Sequence, residues 1–471
     1  MTYYEKNDII FLIIRKERFS VKKRKSFSTT RIIMLSFAAA IAVGSLLLSL
    51  PVSTKSGEAV PFVDALFTAT TATCVTGLVT LPTVSTWSIF GQAVILLLIQ
   101  LGGLGIITVM AGITAALHKK MGLSDRVLLQ DAFNLESLSG LSEFVKKVIL
   151  GTFIVEGVGA LIYMTVFIPE FGARGIWISI FNSISAFCNA GIDIIAEDSL
   201  CGYATNPIIN LTTSLLIILG GLGFIVWWDI ARVFGDPHIK NKNAFKHLTL
   251  HSKIAITATA ALILLGGIVI AAFEWNNPDT IGNMNVFEKI EVAFFQSITT
   301  RTAGFASVPQ QNLRDGSSIF CLVLMFIGGS PVGTAGGIKT VTAVVLIAAA
   351  ISAIKGREDV TLFGRRVRQQ AVGKALGVVG MSFGVVLVST LLLSSVTNAS
   401  ALDILFETVS ATATVGLSRN LTATLDTFGK IIIILTMFLG RVGPISLAVA
   451  FKVKKQESNL IKDPVETISV G

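Results

Sequence analysis

Long apolar runs separated by short polar connectors recur from one end of the chain to the other. They cover residues 31–51, 87–117, 144–168, 207–233, 254–273, 318–354, 375–393 and 431–451. A helix crosses the roughly 30 Å of membrane hydrocarbon with about 20 residues at about 1.5 Å each, so every run is near or above spanning length. Between the paired runs lie half-length apolar segments, such as WISIFNSISAF at 177–187. These are too short to cross and suit a segment that enters the membrane and returns. The order is span, polar linker, half-length segment, span. Only 14% of residues are charged, against roughly 25% in soluble domains. The pattern predicts an all-α polytopic membrane protein with eight spans and four re-entrant segments.

Each half-length segment ends in a related stretch: FTATTATCVTGL (67–78), FNSISAFCNAGI (181–192), FFQSITTRTAGF (294–305) and FETVSATATVGL (406–417). All four read Phe-x9-Gly-apolar, and their glycines, Gly77, Gly191, Gly304 and Gly416, are 114, 113 and 112 residues apart. So regular a period marks a fourfold internal repeat. The chain divides into repeats at 31–120, 141–235, 250–355 and 371–453, with an N-terminal segment at 1–30 and a tail at 454–471. Each repeat predicts helix, pore helix, filter strand, helix around a central pore. Non-helical backbone survives at membrane depth only where it is buried in protein or lines a watery path. Four such strands around one axis can turn rings of carbonyl oxygens inward to replace a cation's hydration shell. Glycine permits the required backbone angles, and the C-terminal pole of each half-helix favours a cation. On this reading the hydroxyl run and the Val-Gly pair form the selective lining. Four glycine-mediated helix contacts are the alternative, but they leave the half-length segments unexplained.

The stretches TATCVTGL, SAFCNAGI, TTRTAGF and SATATVGL resemble the four degenerate filters of the Trk/Ktr/HKT superfamily of potassium transporters, closest to the bacterial Ktr membrane subunit (KtrB/KtrD type). The likeness runs from about residue 31 to the end of the chain. It implies a potassium-uptake subunit of the bacterial plasma membrane, built as a homodimer with one pore per subunit. It also implies a separate cytosolic ring of RCK-type nucleotide-binding subunits (KtrA/KtrC type) that controls opening. Residues in the positions of the family's coordinating carbonyls are Val75, Thr76 and Gly77; Asn189, Ala190 and Gly191; Thr302, Ala303 and Gly304; and Thr414, Val415 and Gly416. Family members with serine at the first glycine are the more sodium-permeable. All four positions are glycine here, which favours K⁺ as the transported ion, with a sodium-permeable or sodium-coupled transporter of the same architecture as the alternative. The chain itself is expected to bind no cofactor.

The second run of repeat three is interrupted by FIGGSPVGTAGGIKT (326–340). A glycine-rich, proline-containing segment cannot stay regular helix and must line a cavity at membrane depth. Gly328, Gly329, Ser330, Gly333, Thr334, Ala335, Gly336 and Gly337 are therefore expected to form an intramembrane gate loop over 328–337. Arg441, in FLGRVGP at the matching place of repeat four, is expected to hold the loop and repel cations, the roles the family's gate loop and its neighbouring arginine also imply. Lys339, at the loop's end, is expected to snorkel to the inner surface. Glu156 is expected to bond a buried partner instead of touching ions.

Charge placement orients the chain. With both termini cytoplasmic, 29 of the 38 Lys and Arg fall on cytoplasmic segments and six, including Arg301, outside; this is the positive-inside bias. Basic residues that flank spans argue against a nucleic-acid surface, although the formal charge is +9. The basic loops at 232–253 and 355–374 suit the cytosolic ring or anionic lipid. Asp193, Glu197 and Asp198 are placed to concentrate cations at the outer mouth. LGGLGII (101–107) and LGGLGFI (219–225) lie inside spans and read as packing or flexible points, not as a nucleotide-binding fingerprint. The four cysteines show neither CxxC nor disulfide spacing. His247 and His251 have i,i+4 spacing but no third ligand, so no metal site is expected. No catalytic constellation stands at membrane depth.

Overall fold

The computed structural model describes residues 29–106, 108–109, 111, 141–239 and 243–443. Nearly all of the N-terminal segment expected at 1–30, the tail at 454–471, and the far ends of the runs at 87–117 and 431–451 lie outside the described residues. The described chain is mostly helical, with a single two-stranded hairpin, β1 (Thr361–Leu362) and β2 (Arg365–Arg366).

Among the described residues, four helices are each long and apolar enough to cross a membrane: α1 (Thr29–Leu48), α4 (Leu141–Phe171), α8 (Leu250–Glu274) and α12 (Gln369–Ser394). Their two faces follow the helical period. On α4, Thr152, Glu156, Tyr163 and Phe167 are buried, while Leu150, Phe153, Ile154 and Leu161 are exposed. The exposed face is apolar because its surroundings are lipid, with no water to favour a polar one.

After each of these helices comes a short one that is buried along most of its length: α2 (Phe62–Cys74), α5 (Arg174–Phe187), α9 (Val286–Thr299) and α13 (Ala401–Ala413). At about 1.5 Å per residue they reach about two-thirds of the way across. Asn285 and Glu288 form a reciprocal capping box at the start of α9, and the Ser400 hydroxyl accepts from the Asp403 N–H at the start of α13. These caps satisfy N–H groups that the helix leaves unpaired.

The helices that follow depart from the expected spans. α3 (Ile89–Leu104), α6 (Pro207–Leu222) and α14 (Thr427–Val442) stop at Gly105, Gly223 and Gly443, whose φ angles are 82°, 94° and 87°. The run at 207–233 is therefore not one straight helix: α7 (Phe224–Gly235) continues from α6 at a bend of 93°. The run at 318–354 is split into α10 (Asp315–Phe326) and α11 (Thr340–Ile354). Close packing places these breaks. Gly102, Gly220 and Gly440 lie against the carbonyls of Thr73, Phe187 and Thr412 at the ends of α2, α5 and α13, where a Cβ would collide with backbone. The LGGLG stretches are thus both packing points and helix ends.

Polar staples join distant parts of the chain. Lys430 on α14 pairs with Asp64 on α2 at 2.6 Å, linking the last and first repeats. Arg419 pairs with Asp403 at 2.7 Å and reaches the Ser318 hydroxyl on α10 at 2.6 Å.

Candidate functional site

The C-terminal ends of α2, α5, α9 and α13 converge, and beyond each the backbone unwinds in the same way. Val75, Asn189, Thr302 and Thr414 adopt left-handed φ of 56°, 58°, 67° and 51°. Two residues later Gly77, Gly191, Gly304 and Gly416 again have positive φ, at 95°, 64°, 84° and 98°. Left-handed backbone costs roughly 1–2 kcal/mol for a residue with a Cβ, and valine and threonine are particularly unsuited to it. Strain of this kind, repeated at four matching positions, marks a functional backbone.

The four strands close a ring. A Cβ on Gly77 would lie 2.5 Å from the Ala190 oxygen, and one on Gly191 would lie 2.6 Å from the Ala303 oxygen. On Gly304 it would strike the Val415 oxygen, and on Gly416 the Thr76 oxygen. Repeat one therefore abuts two, two abuts three, three abuts four, and four abuts one. All four glycines open on a single cavity of about 330 Å³, which Asp193, Glu197 and Asp198 also line.

Most hydroxyls before each glycine do not line this ring; they brace it from behind. Thr71 Oγ1 accepts from the Gly77 N–H at 3.0 Å, and Ser410 Oγ accepts from the Gly416 N–H at 3.1 Å. Ser185 Oγ accepts from the Ile192 N–H at 3.2 Å, and Thr299 Oγ1 donates to Phe305 O at 2.7 Å. Thr68, Thr70 and Thr73 donate to carbonyls of their own helix. The expected lining is thus backbone, with a hydroxyl scaffold. Repeat three is also one residue shorter than its letters suggest. Phe67, Phe181 and Phe406 are fully buried, and their counterpart is Phe295, four residues before Thr299, not Phe294.

At the end of the ring away from this cavity lies the loop between α10 and α11. A bridge between Ile327 and Ile338 closes its neck, with the Gly328 N–H donating to Ile338 O at 3.0 Å. Its far side docks on the break after α6. Ser330 N–H donates to Gly221 O at 2.8 Å, Thr334 N–H to Gly220 O at 3.1 Å, and Phe224 N–H to Val332 O at 2.9 Å. Gly333 sits over the same carbonyls, and Gly329 O accepts from the Thr340 N–H at 3.0 Å. Gly337 takes φ of 64° at the turn back towards α11. The top of the loop touches the strands: Gly336 N–H donates to Thr302 Oγ1 at 3.0 Å, and Gly336 packs against Thr414.

Arg441 spans from this loop to repeat one. Its Nη1 donates to Thr334 O at 2.8 Å and its Nη2 to Gly102 O at 2.5 Å. Lys339 does not snorkel. Its Nζ folds back to Ala335 O at 2.6 Å, and with Arg441 it lines a cavity of about 280 Å³ beside the loop. Arg301, expected outside, is 7% exposed, and its Nη2 donates to Gly328 O at 3.2 Å. Its place in TTRTAGF, a segment at membrane depth, was the available signal for this second clamp on the loop. Glu156 accepts from Gln100 Nε2 at 3.1 and 3.2 Å. Glu407, fully buried on α13, accepts from the Ser418 hydroxyl at 2.7 Å and from the Thr422 hydroxyl, bracing the fourth strand.

The chain is similar to known proteins along most of its length. Residues 6–462 match the sequence model of TrkH, described as "Cation transport protein". The chain is 37% identical to Ktr system potassium uptake protein B of Bacillus subtilis, over 94% of this chain and 97% of that one. It is 39% identical to the potassium/sodium uptake protein NtpJ of Enterococcus hirae, over 95% and 98%. The crystal structure of the potassium transporter TrkH from Vibrio parahaemolyticus shares the fold, with a TM-score of 0.74 at 17% identity, over 92% of this chain and 86% of that one. A match along nearly the whole length, on a helical membrane architecture with broken second helices, leads to one assignment: the chain belongs to the TrkH family of cation transport proteins.

Proposed function

We propose that this protein is the pore-forming subunit of a potassium-uptake system, with a backbone-lined filter formed by Val75–Gly77, Asn189–Gly191, Thr302–Gly304 and Thr414–Gly416. The observation that carries this reading is the closed ring in which each filter glycine abuts the carbonyl of the next repeat. Carbonyl rings of this kind replace water around a cation. The cavity above, with its three carboxylates, is then the outer mouth, and both termini are cytoplasmic. The loop at 328–337 obstructs the path on the inner side, where Arg441 and Arg301 fasten it. An immobile cationic group there also disfavours an ion in the closed pore.

By the same reading the chain works as a homodimer under a cytosolic nucleotide-binding ring; the name of its Bacillus relative, protein B of a system, fits a protein that works with a further component. A second reading, permeation of sodium as well, is favoured by the name of the Enterococcus relative; the four glycines favour potassium. Complementation of a potassium-uptake-deficient bacterium tests the choice, with and without a cytosolic partner and with K⁺ and Na⁺ flux compared. Growth at limiting K⁺ with flux favouring K⁺ supports the reading. Failure to complement, with the protein present in the membrane, contradicts it.

A further inference from the structure

At the inner end of the ring, three polar side chains from three elements point at one spot. Asn189, Thr259 and Arg301 are 1%, 6% and 7% exposed. Among the described residues, Asn189 Nδ2, Thr259 Oγ1 and Arg301 Nε have no hydrogen-bond partner. Asn189 begins filter strand two, Thr259 lies on α8, and Arg301 precedes filter strand three. All three line one cavity of about 10 Å³, together with Ile217, Ile298 and Gly329 of the loop. Unpaired polar groups at such depth are costly, and a cavity of this size with two to four polar partners suits one water molecule. The chemistry matches: a water oxygen accepts from the Arg301 Nε–H and an Asn189 Nδ2–H, and its own hydrogen goes to Thr259 Oγ1.

Two of these side chains also hold the loop. Arg301 Nη2 donates to Gly328 O at 3.2 Å. The Thr334 hydroxyl lies 3.0 Å from both Asn189 Oδ1 and Phe187 O, so its single hydrogen is shared between filter strand two and the end of α5. The Gly336 N–H donates to Thr302 Oγ1 at 3.0 Å. Loop and inner filter are therefore joined through the very residues, Asn189 and Thr302, whose backbone is left-handed.

We propose that a single water held by Asn189, Thr259 and Arg301 is the joint between the filter and the loop, and that Asn189 and Thr302 are positioning residues through which loop displacement alters ion discrimination. This rests on the filter and gate reading given above. Opening then breaks the Thr334–Asn189 and Gly336–Thr302 bonds and frees both side chains at the filter's inner end, so gating and selectivity change together. A loop that merely blocked the path would change flux alone.

The test uses full-length protein in liposomes, with and without its cytosolic partner, and reads Rb⁺ flux and the K⁺/Na⁺ permeability ratio. Thr259→Val and Thr334→Val each remove one hydroxyl at nearly constant shape; Thr259→Ser and Thr334→Ser keep it. Each valine variant is expected to raise partner-independent flux about fivefold, the worth of one neutral hydrogen bond, and to lower the permeability ratio by a similar factor. The serine variants should retain wild-type values. A map fine enough to place waters is expected to show one within hydrogen-bond distance of the three named atoms. Raised flux with an unchanged ratio, silent valine variants in folded protein, or a map with no water at that point would each overturn the proposal. Gly77→Ser is measured alongside. If it lowers the ratio while Thr259→Val is silent, the joint alone fails; if Gly77→Ser is silent too, the filter reading falls with it.

Discussion

Removing Arg441 is the sharpest perturbation of the proposed gate. Its guanidinium bridges Thr334 O at 2.8 Å and Gly102 O at 2.5 Å, tying the loop to the second helix of repeat one. Hydrogen bonds from a charged donor contribute roughly 1.5–3 kcal/mol each, so the pair holds the closed loop by about 3–6 kcal/mol. A tenfold population change corresponds to about 1.4 kcal/mol. Arg441→Ala should therefore raise partner-independent Rb⁺ uptake into liposomes by roughly a hundredfold or more, until the open state dominates. Arg441→Lys keeps the charge, but one ammonium lacks the planar fork that reaches both oxygens; its uptake should lie between the two. Folded Arg441→Ala protein with wild-type or lower uptake would refute the argument. Arg441→Lys matching wild type would show that the charge matters and the bridge does not.

Three other outcomes follow from the same geometry. Gly77→Ser places a Cβ 2.5 Å from the Ala190 oxygen at φ of 95°, so that carbonyl must shift; reversal-potential measurements should show the K⁺/Na⁺ permeability ratio falling by about tenfold or more. Burial lifts the Asp193 carboxyl to about 6, with Asp198 nearby adding to the rise and the Ser199 hydroxyl and neighbouring N–H groups opposing it. The group is therefore charged above that pH and neutral below it. Uptake at limiting K⁺ should fall about threefold as the outside is acidified through this range, the effect of one charge a few ångströms away across water. Asp193→Asn should be pH-independent at the lower level. Lys430→Met leaves Asp64, 8% exposed, without its partner; thermal unfolding in detergent should show a destabilisation of about 3–5 kcal/mol, partly recovered by adding Asp64→Leu.

The large features of this protein are written in its letters because they depend on pattern. A glycine every 112–114 residues, after a half-length apolar segment, locates four strained strands. A proline among glycines locates the loop. What the letters hide depends on contacts between segments far apart. Phe294 satisfies the Phe-x9-Gly spacing, yet burial selects Phe295, one residue closer to Gly304. The breaks at Gly105, Gly223 and Gly443 follow from close approach of the preceding glycines to pore-helix carbonyls, whereas the runs through them read as continuous apolar helix. Lys339 reads as a snorkelling side chain because the sequence contains no trace of the loop turning its Ala335 carbonyl towards it. Arg301 reads as an outer residue because the filter stretch sits between two outer linkers, yet the strand brings it down beside Gly328.

The claim on which the account depends is that a dehydrated cation sits among the four strands. Anomalous scattering from crystals grown with Rb⁺ or Tl⁺ addresses it directly. The account predicts peaks on the common axis, ringed by the carbonyls of Thr76, Ala190, Ala303 and Val415, which disappear when Na⁺ replaces the heavy ion. Peaks confined to the wide mouth beside Asp193, or no peak on that axis at all, would contradict it.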